Sequence, residues 1–89
     1  MPEKSSPTVR PIPMSSAVQA ARLAALAQRL RQARAEAKIL QEDAAYAIGS
    51  TVRSLTRWES GECEPGFTML CSLAELYGVS LDWLADRSP

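Results

Sequence analysis

The stretch QEDAAYAIGSTVRSLTRWESG, residues 41–61, decides the reading of this chain. Its first eight residues form a helix by pattern. Glu42 and Asp43 fall in the first turn, where the helix dipole favours acids, and Ala44, Ala45 and Ile48 supply an inner face. Gly49 sits where a helix ends with a left-handed residue, and Thr51 is placed to cap a second helix from Val52 to Ser60, closed by Gly61. Two short helices thus meet at a corner of three residues, Gly49-Ser50-Thr51, which is a helix-turn-helix arrangement. A corner of this kind occurs in any helical bundle, so the second helix has to carry the meaning. At about 100° per residue, Leu55 and Trp58 lie on one side of it and Arg53 and Arg57 nearly opposite, flanked by Val52, Ser54 and Thr56. Two arginines framed by small hydroxyl and methyl groups suit a major groove. Arginine reads guanine through two hydrogen bonds, serine and threonine reach phosphate, and valine meets a thymine methyl. An ordinary solvated face is the plain alternative.

Outward from this pair the chain stays helical. Ser15 or Ser16 caps a long first helix running to about Ala37. In it Leu23, Leu26, Leu30, Ala33 and Ala37 form one stripe. At 1.5 Å per residue this helix is roughly 30 Å long, so part of it is expected to project beyond the core. A fourth helix is expected from Phe67 to Tyr77, with Phe67, Leu70, Cys71, Ala74 and Tyr77 at helical spacing. Gly78 stops it, and Ser80 caps a last helix from Leu81 to Ala85. Trp58, Phe67, Leu70 and Leu73 read as core. Residues 1–14 hold four of the six prolines and read as a flexible tail, leaving residues 15–89 as the folded domain. No strand alternation competes, so the expected class is all-α: a compact five-helix domain with a long first helix.

The chain has 89 residues, enough for one small domain, and 46% of them are hydrophobic against 22% charged. Histidine is absent, which removes the commonest general base and metal ligand. Two cysteines make neither a disulfide framework nor a four-ligand zinc site. No catalytic, metal or cofactor constellation is expected, and the chain reads as a non-enzyme. With no apolar run of spanning length and no leader pattern, it is expected in the cytoplasm, Cys63 and Cys71 as free thiols, away from membranes. The net charge of zero hides an asymmetry. Residues 1–58 carry nine bases and four acids, net +5, and residues 59–89 carry one base and six acids, net −5. Halves of opposite sign suit one face turned to a polyanion and another turned away.

The run from Leu30 to Leu84 resembles the Cro / lambda-repressor-like (XRE-type) helix-turn-helix domain. The likeness rests on Leu30-Arg31-x-x-Arg34, Gln41-Glu42-Asp43-x-Ala45, Ile48-Gly49 and Leu55-x-Arg57-Trp58-Glu59-x-Gly61. Downstream it continues with Pro65, Leu70, Leu73-Ala74 and Tyr77-Gly78-Val79-Ser80-Leu81-Asp82-Trp83-Leu84. The resemblance implies a five-helix domain that binds double-stranded DNA, usually as a dimer, and regulates transcription. By position it implies that Gln41 grips phosphate and that Val52, Arg53 and Arg57 face base edges. Thr51, Ser54 and Ser60 would lie near the backbone, with Thr56 beside the reading arginines. Arg34 and Glu59 resemble the family's structural ion pair between helices one and three. The chain departs from the family pattern at Lys38, where glycine is frequent, at Leu40, where serine or threonine is, and at Ser50, where an apolar residue is. The first helix is therefore expected to end less sharply and the second to lack a good cap.

The resulting expectation is a sequence-specific DNA-binding regulator, a repressor acting as a homodimer on two operator half-sites. A second reading is an antitoxin that binds a toxin through the segment before residue 30 and autoregulates. A third is a protein-interaction domain of this fold without DNA binding. Of two candidate dimer surfaces, the favoured one is Leu81, Trp83 and Leu84 at the C-terminal end, and the competitor is Val18 with Leu23 on the projecting helix.

Overall fold

A computed structural model describes Pro13 and residues 15–87 of the chain; Pro13 apart, the tail assigned to residues 1–14 lies outside the described residues. Five helices follow in order: α1 (Ser16–Ala37), α2 (Gln41–Ile48), α3 (Val52–Ser60), α4 (Phe67–Tyr77) and α5 (Leu81–Leu84). No strand occurs among the described residues, and the fold is all-α. α5 closes one residue earlier than its sequence suggested, because Ala85 already belongs to a turn.

The helix starts are set by side chains that accept orphan backbone donors. Ser15 Oγ accepts from the Val18 N–H at 3.1 Å, Thr51 Oγ1 from the Ser54 N–H at 3.1 Å, and Ser80 Oγ from the Trp83 N–H at 3.0 Å. Each such cap stabilises by about 1 kcal/mol. Leu40 stands in the cap position before α2 and makes no side-chain cap bond. α1 ends more sharply than its sequence suggested. Lys38 takes the left-handed conformation at φ 59°, and the N–H groups of Lys38 and Ile39 bond to the carbonyls of Ala35 and Arg34. The bonds that glycine usually permits are therefore made, at the steric cost that a Cβ brings to this conformation.

α1 packs on α3, α2 on α3 and α4, and α5 closes the far side against α1 and α4. Leu30, Leu55, Leu73 and Leu84, one from each of four helices, are fully buried at the centre. Each buried leucine contributes roughly 1.5–3 kcal/mol relative to exposure. Ala33, Ala44, Ala74, Trp58 and Tyr77 complete the core, and the absence of bulk at Ala44 and Ala45 lets α2 approach closely.

Phe67 corrects the sequence reading. Expected in the core, it is 72% exposed. The inner stripe of α4 runs through Leu73, Ala74 and Tyr77, with Leu70 partly covered. Phe67 stands at the edge of that stripe, on the first turn after Gly66. At the other end of the chain, α1 buries its first residue only at Ala27, and Ser16–Arg22 are exposed.

Candidate nucleic-acid interface

α3 has one buried and one open side. Leu55, Trp58 and Glu59 turn inward, while Val52, Arg53, Thr56, Arg57 and Ser60 are exposed and Ser54 is partly covered. This division follows from the 3.6-residue period: apolar residues at 55 and 58 fix the rotation of the helix, and that rotation pushes residues 53 and 57 outward. Arg53 makes no ion pair among the described residues. Arg57 Nε lies 3.3 Å from Glu62 Oε1, both side chains about half in solvent. Thr51 and Ser54 are tied to each other as well as to the helix start, through Thr51 Oγ1 and Ser54 Oγ at 3.2 Å. The Ser60 hydroxyl donates to the Arg57 carbonyl at 3.1 Å.

Beneath this face lies Glu59, the one charged residue buried among the described residues, 4% exposed. Arg34 of α1 donates to it twice, Nε to Oε2 at 2.6 Å and Nη2 to Oε1 at 3.1 Å. A third Arg34 bond, from Nη1 to the Ile39 carbonyl at 3.0 Å, holds the α1–α2 connection. Gln41 Nε2, at the first position of α2, donates to Glu59 Oε1 at 3.0 Å. Arg31 Nη1 donates to the Glu59 main-chain carbonyl, an orphan acceptor at the end of α3. Glu59 thus joins α3 to α1 and α2 at once. Its hydrogen bond raises the Arg34 guanidinium above its ordinary pKa, against the lowering effect of burial. The Tyr77 phenol next to this pair is pushed up to about 12, chiefly by burial and further by the Glu59 carboxylate, with Arg34 opposing.

The sequence reading placed Gln41 on phosphate alone. Its amide nitrogen carries two hydrogens, and the Glu59 bond uses one of them. The roles of Arg31 and Gln41 against Glu59 were missed. The available signal was that Arg31 and Arg34 share a face of α1 at a spacing of three.

At the C-terminal end, Leu84 is wholly buried and so offers no surface to a partner, while Leu81 is 37% exposed. Trp83 is half-buried, with the Arg29 guanidinium 4.5 Å above its ring centroid, and Arg29 Nη2 also meets Asp86 Oδ1 at 2.5 Å. Cys63 is exposed and Cys71 partly covered, both free. Among the described residues no group of His, Cys, Asp and Glu could hold a metal, and no helix is long and apolar enough to cross a membrane.

A family model described as helix-turn-helix matches residues 30–84, more than half of the chain. The chain belongs to the helix-turn-helix family. The matched span starts at Leu30 and ends at Leu84, so the exposed first half of α1 precedes the helix-turn-helix domain as the family defines it. The chain is also similar to a protein of Haemophilus influenzae described as an uncharacterized HTH-type transcriptional regulator, 46% identical over 41 residues. The aligned part is 46% of this chain and 17% of that relative.

Proposed function

We propose that this helix-turn-helix chain is a sequence-specific DNA-binding regulator of transcription, acting as a repressor and as a homodimer on two half-sites. The observation that carries the reading is the open face of α3. Arg53 and Arg57 stand out together on a short helix whose rotation is locked from below by Leu55, Trp58 and Glu59. In this reading α3 enters the major groove, with Val52, Arg53 and Arg57 at base edges. Thr51, Ser54, Thr56 and Ser60 lie beside the phosphates, and the second hydrogen of the Gln41 amide points to one of them. The ion pair and hydrogen bonds around Glu59 make the reading face rigid before DNA arrives, which lowers the ordering cost of binding.

The Haemophilus influenzae relative supports regulation as the setting, and with DNA as partner the protein would work in the cytoplasm without a cofactor. The exposed half of α1 is the segment through which the antitoxin reading would engage a toxin. The deciding experiment is a duplex shift with sites selected from random sequence, repeated across salt concentrations. One selected motif, with affinity falling steeply as salt rises, supports the proposal. The absence of any shift at low salt would leave a fold used for protein contacts only.

A further inference from the structure

We infer that the groove beside the first half of α1 is a binding site for a small amphipathic anion, a molecule with an apolar body and a single carboxylate. The groove has a volume of about 620 Å³. It is assembled from α1, the α3–α4 loop, α4 and the segment after α5, and none of its lining residues belongs to α2 or α3. It is therefore a site apart from the open face of α3. Leu23 and Leu26 of α1 and Leu70 of α4 supply its apolar surface. These leucines are partly covered, whereas Arg22, Glu64 and Arg87 are exposed, so apolar surface lies inward and charge at the rim.

Size and charge choose the occupant. Sites for small molecules run to roughly 300–1,000 Å³, with mostly apolar walls and a few polar groups that orient the ligand. A protein partner needs far more surface, about 800 Å² on each side. Two guanidinium groups, Arg22 and Arg87, line the groove with one carboxylate, Glu64, and none of the three makes an ion pair among the described residues. Asp86, the neighbour of Arg87 in the chain, is already bonded to Arg29 at 2.5 Å. One positive charge at the rim is thus left without a counterpart. A carboxylate supplies it through charge-assisted bonds to the planar guanidinium donors, while an attached hydrocarbon covers the leucines. A cationic head group meets repulsion at the same place, and a neutral one leaves the charge unused.

Calorimetric titration of the full chain at pH 7 with octanoate, octanamide and octylamine tests this without any DNA. Octanoate saturates at one molecule per chain, octanamide binds about two- to five-fold more weakly, and octylamine does not saturate. Arg22→Gln and Arg87→Gln each weaken octanoate about two- to five-fold and leave octanamide unchanged, and Glu64→Gln tightens octanoate by a similar factor. Leu23→Gln weakens octanoate and octanamide alike. Lys38→Gln, which removes an exposed base outside the groove, changes neither. Circular dichroism confirms that each variant is folded. No saturable octanoate binding in the millimolar range, or equal affinity for octanoate and octanamide, would overturn the inference. So would octanoate binding that is unaltered when Arg22→Gln and Arg87→Gln are combined. An octanoate affinity that falls as the protein concentration rises would place a second copy of the chain in the groove and overturn it as well.

Discussion

Arg34 grips Glu59 through two parallel bonds, Nε to Oε2 at 2.6 Å and Nη2 to Oε1 at 3.1 Å, and so fixes α3 to α1, the longest helix of the domain. The carboxylate is nearly sealed from solvent at 5% side-chain exposure, while the guanidinium keeps 22%. Such a pair contributes little net stability over an apolar substitute, but losing one partner leaves the other charge without compensation. Glu59→Ala should therefore cost about 3 kcal/mol, since it strips Arg34 and Gln41 of their common acceptor. Thermal unfolding checks this. A melting temperature within a degree or so of wild type would show that the pair does not hold α3 to α1.

Tyr77 makes the stability of the domain sensitive to alkali. Its hydroxyl is buried and has no hydrogen-bond partner among the described residues, and its pKa is pushed up to about 12. The unfolded phenol ionises near 10. Below that value both states hold the proton and the contribution is fully present. Between about 10 and 12 the unfolded chain releases the proton first, so stability falls with rising pH, on the order of 2–3 kcal/mol over the window. Tyr77→Phe should be neutral or slightly stabilising at pH 7 and should remove this part of the alkaline loss. Denaturant midpoints at neutral pH and near pH 11 decide it. An equally steep decline in the variant would place the labile group elsewhere.

The two irregular helix ends are improvable. Lys38 holds a left-handed conformation that suits glycine, and Leu40, 63% exposed, caps α2 without a side-chain acceptor. Lys38→Gly and Leu40→Ser should each raise stability by about 1 kcal/mol. The sites are only two residues apart, so the double variant need not be additive. Chemical denaturation of the three variants gives the answer. A destabilised Leu40→Ser would mean that this side chain packs against something α2 needs.

Most of the fold was legible because its boundaries are written in local chemistry. Ser15, Thr51 and Ser80 begin helices with a hydroxyl cap, and Gly49, Gly61 and Gly78 end them. The face of α3 was legible too, since Leu55 and Trp58 fix the rotation that exposes Arg53 and Arg57. What escaped was tertiary. Nothing local shows that Gln41 and Arg31, 18 and 28 residues away, both bond to Glu59, nor that Arg29 covers Trp83. Phe67 was misplaced because helical spacing gives a residue's direction around its axis and not whether another helix stands there. Lys38 was misjudged because the backbone bonds that close α1 do not require glycine.

In the proposed DNA complex, Glu62 would restrain the α3 face. It sits just past the end of α3, 3.3 Å from Arg57, and adds a negative charge where phosphate would approach. Glu62→Ala should tighten DNA binding about two- to five-fold, the range expected of an exposed pair, with a larger gain at low salt. Titration of a fixed duplex at two ionic strengths measures it. Weaker binding would show that Glu62 orients Arg57 for DNA rather than competing for it.

In the proposed DNA complex α3 reads base edges through Arg53, which is exposed and free of any ion pair among the described residues. The most direct measurement is the affinity of wild type and Arg53→Ala for a selected duplex and for its variants at every position. Arg53→Ala should lose about 1–3 kcal/mol on the selected duplex and relax preference at one base pair per half-site, with an unchanged melting temperature. Wild-type affinity and an unaltered preference in a folded Arg53→Ala protein would contradict it.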